Sequence, residues 1–192
     1  MIEEPDTYSY TLKLPKERIA VLIGTKGEVK RDLEDVTHAK LHIDSKEGDV
    51  TLTGSDTLGL FIAREIIRAI GRGFNPDVAK LLLKSDYVFE LISLADYAGK
   101  AKNQLERIKG RVIGTEGKSR KVIEELTETY ITVYGKTIGI IGLSANVTIA
   151  RRAIESLISG SMHATVYRWL ERQRRELKRA EFIGDAVQAN LR

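Results

Sequence analysis

Apolar residues change their period along the first seventy positions, and the same changes then recur. Tyr8, Tyr10, Leu12 and Leu14 alternate with Ser9, Thr11 and Lys13, the period-two pattern of a half-buried strand. Pro15 stops it, because proline has no amide proton for a ladder. Ile19, Leu22 and Ile23 form a short helical face before Gly24, and Val29, Leu33 and Val36 form another after Gly27. Leu41 and Ile43 alternate with His42 and Asp44, and Val50 and Leu52 with Thr51 and Thr53, around a turn, Ser45 to Asp49, that has no apolar residue before Val50. A last helix carries Leu58, Ile62, Ile66 and Ile70 behind a Ser55 or Asp56 cap. The predicted order is β-α-α-β-β-α.

The second round of the pattern is a duplication. Gly24-Thr25-Lys26-Gly27 and Gly114-Thr115-Glu116-Gly117 lie ninety positions apart, and Leu41 and Ile43 match Ile131 and Val133 at the same offset. Gly54 and Gly142 are eighty-eight apart, so a turn around Tyr134-Gly135-Lys136 is two residues shorter, as surface loops allow. Tyr87 to Ser93 supplies the first strand, and Val147, Ala150, Ile154 and Leu157 the last helix. About ten extra residues before the second loop predict a longer helix through Lys100 to Ile108. A period this long exceeds the roughly 20 to 50 residues of solenoid units, so the repeat is a small domain.

The expected organisation is a first domain over 1–73, a helical bridge over 74–85, a second domain over 86–160 and a helical extension over 161–192. Asn75-Pro76-Asp77 has the residues of a helix start. The apolar face of Val78, Leu81 and Leu82 leads us to expect the two domains to be packed together. In the tail, Val166, Trp169, Leu170 and Leu177 mark one helix face, and Arg168, Arg172, Arg174, Arg175, Lys178 and Arg179 the other. An arm on nucleic acid, through Arg168, Arg172, Arg175 and Arg179, and a solvated cap on the second domain both fit.

Composition narrows the chemistry. The 192 residues include no cysteine, which removes disulfides, thiolate zinc sites and cysteine nucleophiles and fits a reducing compartment. The apolar runs Ala79 to Leu83 and Ile138 to Leu143 fall far short of a membrane span, and the acidic start (Glu3, Glu4, Asp6) is unlike a signal peptide. The expectation is a soluble cytoplasmic protein with no membrane partner. Net charge is only +4, so its distribution matters more. Arg107 to Lys121 carries six basic residues against Glu116, and the matching Glu17 to Arg31 four against Glu17 and Glu28. The second copy is the stronger candidate for a polyanion.

Gly117-Lys118-Ser119 resembles the end of a phosphate-binding P-loop, but position 112, where its first glycine belongs, is Val112, and the preceding element reads as a helix. His38, His42 and His163 fall in unrelated contexts, and Glu124 and Glu125 point to different sides of a helix. Neither catalysis nor a cofactor or metal is expected. What remains is a glycine turn between two helices, which lets a sugar-phosphate backbone approach the amides that open the second helix.

Two such turns, each in β-α-α-β-β-α order, resemble the type I KH domain, whose GXXG loop clamps four nucleotides of single-stranded RNA or DNA. The fold expected is therefore α+β, with tandem type I KH domains and a C-terminal basic helix. The family resemblance places RNA at Lys109, Gly110, Arg111, Val112, Ile113, Gly114, Thr115, Glu116, Gly117, Lys118, Arg120 and Lys121, with Ile131 and Val133 on or beneath the opposite wall. A secondary RNA or protein site falls at Ile23, Gly24, Thr25, Lys26, Gly27 and Lys30. Glu116 departs from the basic residue that many RNA-binding loops carry between their glycines.

The stretch Lys109 to Arg120, with Ile123-Glu124-Glu125-Leu126-Thr127, Ile131 to Thr137, Val166-Tyr167 and Trp169 to Arg172, is more specific. It is similar to the archaeal members of the Pno/Krr family of ribosome-assembly proteins. That resemblance implies association with the 3′ region of small-subunit ribosomal RNA and protein partners such as a Nob-type endonuclease. A KH-based protein scaffold, or a general RNA- or single-stranded-DNA-binding regulator, is the alternative.

Overall fold

Pro15, Gly24 and Gly27 cut the first copy where the apolar spacing does. A computed structural model describes residues 7–98 and 102–189, with side chains at 7–98 and 103–179. The acidic residues Glu3, Glu4 and Asp6 lie outside the described residues. The chain divides into two units, Met1–Phe89 and Glu90–Arg192.

In the first unit, β1 (Tyr8–Lys13), α1 (Lys16–Ile23), a 3-10 turn (Thr25–Gly27), α2 (Glu28–Thr37), β2 (Lys40–Asp44), β3 (Asp49–Gly54) and α3 (Thr57–Gly71) follow in order. The antiparallel sheet runs β1-β3-β2, pairing Leu12 with Val50 and Leu41 with Leu52. Asp56 is the cap of α3: its carboxylate accepts from the Leu58 amide at 3.0 Å. Leu22, Leu33, Val50, Leu52, Leu60, Ile66, Ile67 and Ile70 are wholly buried between helices and sheet.

Two expectations need correction. Leu58 is 66 % exposed, and the inward face of α3 is Leu60, Ala63, Ile66, Ile67 and Ile70, because steps of four drift around a helix of 3.6 residues per turn. Tyr8 and Tyr10 are also exposed, with Leu12 half-buried, so β1 buries less than its alternation suggests. The residues placed in the bridge belong to the first unit. There α4 (Pro76–Ala79) and a 3-10 turn (Lys80–Leu83) pack on α3, Asn75 accepts from Asp77 N at 2.9 Å, and Lys80 pairs with Asp32 of α2.

The second sheet is formed by β4 (Tyr87–Ser93), β5 (Tyr130–Tyr134) and β6 (Thr137–Leu143), in the order β4-β6-β5. Its helices are α5 (Ala95–Ala98), α6 (Lys102–Ile113), α7 (Lys118–Thr127) and α8 (Ser144–Ile158), with a 3-10 turn at Thr115–Gly117. Part of the extra length expected to lengthen α6 forms α5, and Lys100 lies outside the described residues. Tyr134 pairs with Thr137 where Asp44 pairs with Asp49, which is the two-residue shortening.

A last helix, α9 (His163–Ala189), packs on α7 and α8, with Val166 and Leu170 buried. It begins where α4 does. The Val166 amide donates to Met162 O as Ala79 donates to Asn75 O, and Gly73 and Gly160, both at positive φ, close the preceding helices. The duplicated unit thus includes the start of a fourth helix, which the sequence pattern had not shown.

Candidate nucleic-acid interface

Both glycine turns have the same backbone. Gly24 (φ 72, ψ 178) and Gly114 (φ 72, ψ 174) leave their helices, Lys26 and Glu116 take φ near 53, and Gly27 and Gly117 sit in the left-handed region. The first glycine is needed for space as well as φ. A Cβ on Gly24 would lie 2.5 Å from Val29 Cγ2, and one on Gly114 2.7 Å from the Ser119 amide nitrogen. The second glycine faces open space within 4 Å, so a ligand backbone can approach it. The amides of Glu28 and Lys118, which begin α2 and α7, donate to Thr25 O and Thr115 O within the turns, and the positive ends of both helices lie just beyond, where the helix dipole favours phosphate.

The cations divide into those held by the protein and those facing solvent. Arg111 donates from Nε to Leu157 O at 2.9 Å and from Nη2 to Ser161 O at 2.6 Å, so one edge of its fork is occupied and its direction is fixed. Lys109 binds Glu106 at 3.0 Å with only 19 % of its side chain exposed. Lys118 and Lys121 are exposed, and Arg120 pairs loosely with Glu124 at 3.5 Å. In the first unit, Arg31 turns back onto its own loop, donating to Lys26 O at 3.0 Å and Gly27 O at 3.3 Å, and Lys30 lies 3.8 Å from Glu34. Lys26 is left exposed at the tip.

Val112 is corrected: at 0 % exposure it is core, closed to any base; Ile131, at 4 %, is core as well, which fits the expected place beneath the wall and not the one on it. Ile113 and Val133, with Ile23 and Ile43 in the first unit, are half-buried and available. Glu124 has a structural task, accepting from the Ile131 amide at 2.7 Å, as Glu34 does from Leu41 at 2.7 Å. Each glutamate ties the helix after the loop to the edge strand across the groove. Burial raises the Glu124 carboxyl above its ordinary range, and the bond from Ile131 partly opposes this.

The tail cations Arg168, Arg172, Arg175 and Arg179 are exposed on α9, whose other face is seated on the second unit. Sequence reasoning missed Arg31 and Glu34, and Arg18, which donates to Ile70 O at 2.8 Å and Phe74 O at 2.7 Å. Among the described residues, no group of three or more His, Cys, Asp or Glu could hold a metal, and no helix is long and apolar enough to cross a membrane.

Two three-stranded sheets of this order, each with a GXXG turn between helices, define a tandem type I KH protein. Family models agree: residues 88–175 match the eukaryotic type KH domain, type I, as found second in PNO1 proteins, and residues 9–69 match the KH domain. The chain belongs to the Pno/Krr family of KH-domain ribosome-assembly proteins. It is 49 % identical over 175 residues to a KH domain-containing protein of Methanocaldococcus jannaschii, covering 89 % of this chain and 76 % of that one. It is 34 % identical to the pre-rRNA-processing protein PNO1 of Coccidioides immitis, covering 80 % of this chain and 62 % of that one. A crystal structure of Dim2p from Pyrococcus horikoshii superposes with a TM-score of 0.80 at 44 % identity, covering 86 % and 99 % of the two chains. A complex from the same organism, of the initiation-factor subunit a/eIF2alpha, aDim2p and rRNA, gives 0.83 at 43 % identity, covering 91 % and 98 %.

Proposed function

We propose that this chain is a single-stranded RNA-binding protein of small-subunit ribosome assembly, a binder rather than an enzyme, that grips the 3′ region of small-subunit rRNA mainly through its second KH groove. The observation that carries the reading is the loop Gly114 to Gly117: its second glycine is open to a backbone, and Lys118, Arg120 and Lys121 follow it directly. Support for an rRNA ligand comes from the Pyrococcus horikoshii relative, whose complex contains rRNA. The first groove is the weaker RNA site, because Glu28 stands where the second copy has Lys118 and Arg31 is turned onto its own loop. Protein partners at that stage include a Nob-type endonuclease and, by analogy with the same complex, an initiation-factor α subunit.

The test is a filter-binding titration of single-stranded RNA ending in the small-subunit 3′ sequence, repeated across salt. Affinity should fall with salt with a slope of roughly 0.7 per phosphate neutralised. Absence of salt-dependent binding rejects the reading in favour of a protein scaffold. Preference for an unrelated RNA or single-stranded DNA rejects the rRNA assignment.

A further inference from the structure

Arg111 lies three residues before the second glycine loop in a basic run, and from sequence alone it reads as a phosphate ligand. Its surroundings say otherwise. One edge of its guanidinium, Nε and Nη2, donates to the carbonyls of Leu157, in the last turn of α8, and Ser161, just past it, and its own carbonyl meets Nε2 of His163, the first residue of α9, at 2.8 Å. A carbonyl can only accept, so Nε2 carries the proton there. The last turn of α6, from which the loop departs, is thereby tied to the junction of α8 and α9.

The first unit contains the same tie. Arg18 donates to Ile70 O and Phe74 O, which match Leu157 O and Ser161 O at a constant offset of 87 (70 to 157, 74 to 161). The arginine itself comes from a different place, six residues before Gly24 where Arg111 is three before Gly114. Positions three apart on a helix share a face, so one turn or the other reaches the same acceptors. The carbonyl pair keeps its guanidinium although the arginine has moved, which points to a demand for the contact and not for a cation beside the loop.

We infer that Arg111 is a positioning residue for the second glycine loop, not a phosphate ligand, and that through His163 it makes the grip of that loop depend on the seated α9. The inference rests on the second loop being the RNA site proposed above. Lysine keeps the charge but lacks the planar fork that reaches two carbonyls. The Arg111→Lys variant therefore separates the roles, because a phosphate ligand is rescued by lysine and a two-carbonyl clamp is not.

The experiment uses the full chain and single-stranded RNA of the small-subunit 3′ sequence, with amide exchange of Thr115 to Lys118 measured in the free protein. Arg111→Lys and His163→Ala should each speed exchange in the loop and lower RNA affinity about 5- to 30-fold, with the salt slope unchanged. Lys118→Ala should instead lower the slope by roughly 0.7 and leave exchange alone. Arg18→Lys, which loosens the equivalent tie, controls for general destabilisation and should shift affinity less than about twofold. Rescue of affinity by Arg111→Lys, a lower slope in that variant, or unchanged loop exchange overturns the inference. If the wild-type protein binds no RNA, the function proposed above fails, and the exchange measurement alone decides whether the clamp positions the loop.

Discussion

Tyr10 on β1 and Glu90 on β4 occupy the same place in their units, four residues before the leucines, Leu14 and Leu94, that bond to the turn between the other two strands. Across from each lies an arginine of the helix that follows the last strand, α3 or α8. Arg64 stacks over Tyr10 and Phe61 at 5.5 and 5.1 Å, whereas Arg151 forms an ion pair with Glu90 at 2.8 Å. Duplication has kept the meeting point and changed its chemistry. The glycine turns show the same rule: backbone angles agree within a few degrees, yet Lys26 and Glu28 in one become Glu116 and Lys118 in the other. The frame is set by buried packing and shared carbonyls, which tolerate little change. The exposed charges are free to diverge.

The sharpest way to break the contrast is to damage both turns equally. Gly24→Val and Gly114→Val each force a side chain against the following helix in left-handed backbone, so each should cost on the order of 2–4 kcal/mol in thermal unfolding. Only Gly114→Val should abolish tight RNA binding; equal losses of affinity would erase the ranking of the two grooves. Next in size, Lys118→Glu with Arg120→Glu should weaken RNA binding by about 1.5–3 kcal/mol in a salt-controlled titration, and Lys26→Glu with Lys30→Glu by less than half of that. Glu116→Lys gives the second turn the charge of the first and should tighten binding by about 0.5 kcal/mol, an effect that fades at high salt.

The smallest effect concerns Glu124. Because its carboxyl is raised in the folded protein, the fold binds that proton more tightly than the unfolded chain does. The associated stability is present below the ordinary carboxyl range and is lost as pH rises through the elevated value. Glu124→Gln keeps an acceptor for the Ile131 amide and removes the titration. Stability curves from pH 4 to 7 should therefore be flatter for the variant; parallel curves would show that burial of this carboxyl costs the fold nothing.

Much of this architecture could be read before any coordinates. The strand Tyr87–Ser93, the Asn75 cap and the shortened turn all follow from local rules of period and backbone chemistry. What stayed hidden depends on partners distant in sequence. Arg111 beside a carbonyl and Arg111 beside a phosphate look alike in a basic run, and the acceptors that decide between them lie 46 and 50 residues away. Val112 and Ile131 carry the same aliphatic signal as Ile113 and Val133, and only the packing says which pair is covered. The kinship of α4 with α9 was masked by length, since one stops after a single turn and the other continues to Ala189.

The turn between β5 and β6 is two residues shorter than its counterpart, while the strands beneath it reach the same height. In a KH groove that turn stands on the wall opposite the glycine loop, and here it has two turn residues, Gly135 and Lys136, where the first unit has four, Ser45 to Gly48. On the proposed function, a strand lying there would meet a smaller turn on that side and be held chiefly from the other, by the exposed lysines Lys118 and Lys121 after Gly117. Its departure would then be governed by ionic strength more than by the opening of a lid, and residence time would become a quantity that a change of salt, or a competing polyanion, can set.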